Sequence, residues 1–318
     1  MKHALAAAAV LLATPALSHA QAFPTKPMRI VTAAGPGGGV DTTSRIIAQN
    51  LQETLGQPGV VENRPGAGGA IGGELVARSP ADGYTLLTIS ISHSVLPSSH
   101  KNLSYSPEKD LTPVAVMVNA PNVLVAHPSL PVKSIKELIA YAKKRPGEID
   151  YASSGNASPS HLATENLALM SDIKLNHIPY KGTGPGITDL IAGRVSLMFA
   201  SIISTRHHVE QGKLKMLATA GAKRAEAAPD LPTIGESVPG YAVDVWYAML
   251  APAGTQRTVM ERLNSAVAKI LHAPDVKKKL ASIGLEPVAG DLAKSDAYIK
   301  AEIAKWARVV KAANITAK

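Results

Sequence analysis

Cysteine is absent from the 318 residues. That excludes a disulfide framework, thiolate metal sites, a cysteine nucleophile and a thiol-linked lipid anchor. Aromatic residues make up only 4%, so platforms for stacking nucleic-acid bases are scarce. Past the N-terminus, no run approaches the roughly 20 apolar residues that a bilayer-spanning helix needs. Common catalytic patterns are missing as well. G-x-S-x-G, H-E-x-x-H and the P-loop do not occur. S-x-x-K occurs three times, as at Ser106–Lys109, but without its partner motifs.

The first residues read as an export signal. Lys2 supplies the positive start, Ala4 to Ala13 is an apolar stretch, and small residues at Ser18-His19-Ala20 and Ala20-Gln21-Ala22 offer cleavage sites. The remaining chain of about 295 residues, in a sequence 46% apolar, is long enough for two domains with real cores. Its charge is basic. The net +9 becomes +8 once Lys2 leaves with the signal. The basic runs Lys143-Lys144-Arg145 and Lys277-Lys278-Lys279 sit near predicted helix ends, where cations complement the dipole. Export and scarce aromatics argue against nucleic acid, which leaves an anionic surface or a small anionic ligand.

Strand and helix patterns alternate from residue 28 onward. Strands are predicted at 28–34, 60–63, 84–90, 149–154, 175–180, 195–201, 215–220 and 243–251, and helices at 42–55, 134–144, 158–170, 186–192, 256–271, 274–283 and 295–312. Such alternation predicts parallel sheets covered by helices. The chain is expected to cross between two domains near Asn119–Val123 and Val243–Met249.

Three loops follow predicted strands and open predicted helices. Pro36-Gly37-Gly38-Gly39-Val40-Asp41 is dense in glycine, which lets a ligand approach the backbone, and Asp41 is a candidate cap. The pattern G-x-G-x-x-G fails here because Val40 stands at the third glycine position. Ser153-Ser154-Gly155-Asn156-Ala157-Ser158 offers hydroxyls, an amide and backbone donors, and Tyr180-Lys181-Gly182-Thr183-Gly184 repeats the arrangement. Helix N-termini with free N–H groups hold anions without a positive side chain. His161 opens a helix just after the second loop. Trp246 lies on a crossing strand, where it either stacks on a ligand or packs the seam. His207-His208 are adjacent and would diverge if helical, which makes them a poor metal pair.

These segments, in order, resemble the periplasmic receptors of tripartite tricarboxylate transporters, the Bug receptors. The resemblance runs from Phe23 to about Ala312. It is carried by Phe23-Pro24-Thr25-Lys26-Pro27-Met28-Arg29, the Pro36–Asp41 loop, Val61-Glu62-Asn63-Arg64-Pro65-Gly66-Ala67-Gly68-Gly69 and Asp82-Gly83-Tyr84-Thr85-Leu86. Tyr151–Asn156, Pro179-Tyr180-Lys181-Gly182, Leu250-Ala251-Pro252-Ala253-Gly254-Thr255 and Lys305-Trp306 complete it. It implies an α/β two-domain periplasmic-binding-protein clamshell, or Venus flytrap, with two crossing strands. The expected division is 1–22 signal peptide, 23–121 with 247–318 as domain 1, and 122–246 as domain 2. It implies a carboxylate held by Pro36, Gly37, Gly38 and Asp41 on one wall and by Ser153, Gly155, Asn156 and His161 on the other. Ser90, Ser92 and Ser201 are expected between them, and Trp246 is kept as a candidate contact.

The expected partners are a small organic anion and the membrane permease subunits of such a transporter. A periplasmic monomer is expected, without nucleic acid, catalytic residues, metal or cofactor. The rivals are an exported enzyme acting on a small carboxylate and a carboxylate-sensing module. The sequence departs from the family pattern at Leu96-Pro97, Ala157 and Ala200. A less polar Ala200 is expected to suit a ligand with an apolar part.

Overall fold

The computed structural model describes residues 23–100 and 102–315, so the expected signal lies outside the described residues. The chain opens with β1 (Met28–Thr32), β2 (Gly59–Asn63), β3 (Thr85–Ser90) and β4 (Leu111–Asn119). It then builds β5 (Asn122–Ala126), β6 (Asp150–Ser153), β7 (Asn176–Pro179), β8 (Leu197–Ser201) and β9 (Lys215–Thr219). Last come β10 (Trp246–Pro252) and β11 (Glu286–Pro287). The first sheet has the order β11-β4-β10-β3-β1-β2 and the second β7-β6-β8-β5-β9.

Helices cover these sheets. They are α1 (Gly39–Leu55), α2 (Ala70–Ala77), α3 (Leu96–Ser99), α4 (Ile135–Lys143), α5 (Pro159–Ser171), α6 (Thr183–Ile191), α7 (Ile202–Glu210), α8 (Arg257–His272), α9 (Pro274–Ser282) and α10 (Leu292–Ala312). Local chemistry explains several boundaries. Ser158 Oγ accepts from His161 N–H at the start of α5, with Pro159 at its first position. Ser134 caps α4 in the same way, but Glu137 reaches back to Lys133 N–H, one residue short of a full capping box. Gly56 ends α1 in the left-handed conformation, φ 80°, with its N–H on Gln52 O.

The sheets are mixed rather than parallel as predicted. β10 runs antiparallel to both β3 and β4, and β5 antiparallel to both β8 and β9. The crossings cause this. β4 runs out of the first sheet into the second, and β10 returns, so the two must oppose. Only Ala120 and Pro121 separate β4 from β5. Ala120 N–H donates to Val245 O at 2.6 Å and Val243 N–H to Ala220 O at 2.8 Å. The two crossings are therefore hydrogen-bonded to their surroundings rather than slack. β4 and α7 were both missed in the sequence.

The strand directions put the C-terminal ends of β1, β3 and β4 on one edge of the first sheet, nearest the second. The C-terminal ends of β6, β7 and β8 lie on the second sheet's edge where β5 begins. In α/β sheets that edge is where ligands bind. Among the described residues no helix is long and apolar enough to cross a membrane.

Candidate functional site

The first wall grows from β1 into α1. Gly37 is left-handed, φ 81°, and Gly38 is extended, φ −78° and ψ 168°. Gly38 is the N-cap of α1 and offers no side-chain cap. The first helical hydrogen bond is Thr42 N–H to Gly38 O, so Gly39, Val40 and Asp41 keep free N–H groups. Beneath the loop, Thr32 donates to Ser44 at 3.0 Å and Ser44 pairs with Thr88 at 2.7 Å. These buried hydroxyls lock β1, α1 and β3 together.

Asp41 does not cap the helix, and its carboxylate turns inward. It is buried, and both its oxygens are engaged. Gly37 N–H and Arg45 Nε reach Oδ2 at 2.9 and 3.0 Å, and Asn63 Nδ2 reaches Oδ1 at 2.8 Å. Burial pushes its pKa up, but the Arg45, Gly37 and Asn63 hydrogen bonds prevail and hold it below the usual carboxylate range. Its role is to shape the glycine loop. Pro36, Gly37 and Gly38 are exposed, and Ser90 and Ser92 are half-buried at the end of β3.

The second wall grows from β6 into α5. Gly155 has φ 131° and Ala157 φ 55°, so the residue that departs from the family pattern occupies a position that suits glycine. Asn156 is exposed. Ala157 N–H donates to His161 Nδ1 at 3.1 Å. That fixes the neutral tautomer, with the proton on Nε2. His161 stacks on His177 with ring centroids 3.9 Å apart, and His177 stacks on Tyr151 at 4.9 Å. Burial, then the neighbouring His177, push the His161 pKa down to about 3.

Ser153 is fully buried. Its hydroxyl lies 2.6 Å from His177 Nε2 and also bonds Gly155 O and Gly155 N–H. This serine–histidine pair is the nearest thing to a nucleophile and base, and the sequence did not suggest it. It lacks access, because the serine is sealed and the imidazole is held between two rings. Ser153 therefore supports the loop from below.

Two further helices begin on the same edge. α6 follows β7 with Gly182 as an N-cap that has no side-chain bond. α7 follows β8, with Ser201 capping through its hydroxyl to Ser204 N–H. The second wall thus presents three helix N-termini, and the first wall those of α1 and of α2, which follows β2 with Gly69 as an N-cap that has no side-chain bond. Uncapped α1 and α6 lie against different sheets.

The structure buries two of the singled-out residues, and for Trp246 it takes the packing alternative. Trp246 is fully buried, and its indole N–H donates to Glu302 Oε2 at 3.0 Å. Trp306 donates to the same oxygen at 2.9 Å, and Lys305 pairs with the other. The Lys305-Trp306 motif thereby clamps the crossing strand onto α10. Ala200 is buried in the core of the second sheet beside Val123 and Met198, so it does not shape the cleft. The aromatic on the other face of the strand is the next one, Tyr247, half-buried against Gly39 at the start of α1. Strict strand alternation was the available signal.

A family model described as the tripartite tricarboxylate transporter family receptor matches residues 43–315. The chain belongs to this receptor family. Protein BugT of Bordetella pertussis is 35% identical over 321 residues, covering 98% of this chain and 97% of BugT. The structure of an R. palustris protein with adipate is 37% identical and superimposes with a TM-score of 0.78, covering 92% of this chain and 99% of that one. MatC from Rhodopseudomonas palustris, with bound malate, is 30% identical with a TM-score of 0.74, covering 91% and 100%. These similarities agree with the two-domain α/β architecture of periplasmic binding proteins. Among the described residues no group of three or more His, Asp or Glu is placed to hold a metal ion.

Proposed function

We propose that this family member is a periplasmic receptor that captures a small organic carboxylate between its domains and delivers it to a membrane permease. The observation that carries the reading is the set of helix N-termini on the two strand edges, with uncapped α1 and α6 in different sheets. Free N–H groups and helix dipoles favour an anion over a neutral or cationic solute. The relatives with adipate and malate support a carboxylate as that anion. Residues 1–22 are read as the removed export signal. Residues 23–121 with 247–318 form one jaw and 122–246 the other, closing as a monomer. Ser90, Ser92, Ser201, Gly155, Asn156 and His161 are assigned to the walls beside the glycine loop.

The protein returns its ligand unchanged on this reading, because the Ser153–His177 pair is inaccessible. The test is thermal unfolding with a panel of four- to eight-carbon mono- and dicarboxylates, adipate and malate included. A ligand at 100 times its Kd adds about 2.7 kcal/mol, and NMR of the recovered ligand should show no product. A panel without any shift, from protein carrying no ligand of its own, would remove the receptor reading. Product formation would favour the enzyme.

A further inference from the structure

β10 enters the first sheet at the cleft edge, with Tyr247 paired to Ser90 on one side and Val118 on the other. Strand alternation sends Trp246 toward α10 and Tyr247 to the opposite face. There the phenol lies across the first turn of α1. A Cβ built on Gly39 would stand 2.4 Å from the Tyr247 hydroxyl, 2.8 Å from Cε2 and 2.9 Å from Cζ. No side chain tolerates such an approach, so glycine at 39 is what admits the ring. The conformation at Gly39 is ordinary helix, so the demand there is for space and not for backbone freedom.

The hydroxyl that arrives there has no protein hydrogen-bond partner among the described residues. It is also not one of the polar atoms sealed from solvent without a partner, as the His93 ring nitrogens and the Tyr105 hydroxyl are. It is thus an open donor beside the free N–H groups of Gly39, Val40 and Asp41. A group that satisfies several converging donors at once needs several acceptor lone pairs on one small centre. A carboxylate has them. The acidic side chain in the first turn of α1, Asp41, is engaged by Gly37, Arg45 and Asn63 and does not compete for this place.

We propose that Tyr247 is a ligand-contacting residue, whose hydroxyl donates to a carboxylate oxygen of the solute seated on the first turn of α1. The inference rests on the carboxylate-receptor reading and names one contact of that site. Burial pushes the phenol pKa up to about 12, so the group stays a neutral donor across the range in which a carboxylate is ionised. The neighbouring Trp246 is excluded from this role by its own bond to Glu302.

The test is Tyr247→Phe, which deletes one oxygen and keeps the ring over Gly39. Calorimetry is run on parent and variant with the carboxylate that the parent binds most tightly among adipate, malate and the rest of the panel. Denaturant unfolding is run on both without ligand. A hydrogen bond to a charged group leads us to expect affinity lower by about tenfold or more, with the ligand-free unfolding midpoint unchanged. Undiminished affinity overturns the proposal. So does a joint fall of affinity and ligand-free midpoint, which marks the hydroxyl as structural. A parent that binds no carboxylate overturns the receptor reading itself and this contact with it. A parent that binds while the variant binds equally well removes the contact alone.

Discussion

The three consecutive glycines of the first loop separate backbone demands from ligand demands, and Gly38 is the informative one. A Cβ at Gly38 meets only Gly35 O, at 3.8 Å, which is ordinary contact. Its φ of −78° suits any residue. Valine there loses roughly 0.5–1 kcal/mol as an N-cap and regains about 0.4–1 kcal/mol by restricting the unfolded chain. Folding stability should therefore hardly change. Binding should change, because the new side chain stands over the free N–H groups of α1. We expect affinity for the preferred carboxylate to fall at least tenfold, about 1.4 kcal/mol.

Gly56→Val is the control. At φ 80° a side chain costs about 1–2 kcal/mol, so stability should drop. Gly56 also lies at the far end of a 17-residue helix, about 25 Å from the loop, so affinity should hold. The assay is calorimetric affinity with urea unfolding for parent and both variants. A folded Gly38→Val protein that binds as tightly as the parent would refute the backbone cradle, leaving the loop as a tight turn with no role in capture.

Two further outcomes concern the buried polar groups. Burial pushes His93 down to about 4, and His161 to about 3, from an unfolded value near 6.5. Above 6.5 both states are neutral; as pH falls below it the unfolded chain takes protons that the folded one refuses. Stability is thus lost from about 6.5 downward, by about 1.4 kcal/mol per pH unit for each histidine. His93→Leu should flatten the urea-measured slope between pH 6 and pH 5 by one such proton, and an unaltered slope refutes the assignment. Glu302→Ala strips the acceptor from both buried indoles and the partner from Lys305. It should cost about 3 kcal/mol or more, whereas Glu302→Gln, which keeps an acceptor, should cost less; equal losses would argue against the indole bonds.

Much of the fold was legible because its signals are local. The capped start of α5 at Ser158-Pro159, the stop at Gly56 and the apolar run of β1 each depend on a few neighbouring residues. What was not legible depends on partners far along the chain. β4 carries Thr112, Pro113 and Asn119 among its apolar residues, and its pairing with β10 and β11 defines it. The antiparallel insertions follow from where the chain crosses, which composition does not state. α7 reads Ile-Ile-Ser-Thr-Arg-His-His-Val-Glu with little periodicity, and it forms because Ser201 caps it and Ile202 and Thr205 are buried.

The candidate site shows the same division at the scale of single atoms. The glycine loop, the serine-rich loop and His161 were found because free N–H groups at strand ends are a sequence-level feature. Whether a named side chain faces the solute or supports the loop is decided by what competes for it. Asp41 reads from the sequence as a contact, but Arg45 and Asn63 come from one helical turn and one strand away to occupy it. Ser153 offers a hydroxyl, but His177, brought alongside by the β6–β7 pairing, takes it. Trp246, on the crossing strand, reads from the sequence as either a ligand contact or seam packing. Glu302, 56 residues further on, claims the indole and leaves the phenol open. In each case the rejected contact is a polar atom satisfied within the protein. Among the candidates kept, Ser90, Ser92 and the Tyr247 hydroxyl have no protein hydrogen-bond partner among the described residues and are not sealed from solvent, whereas Ser201 and His161 also serve loop bonds. An unsatisfied donor at the open edge of a sheet is therefore the better criterion for a ligand contact here, and it requires the fold before it can be applied.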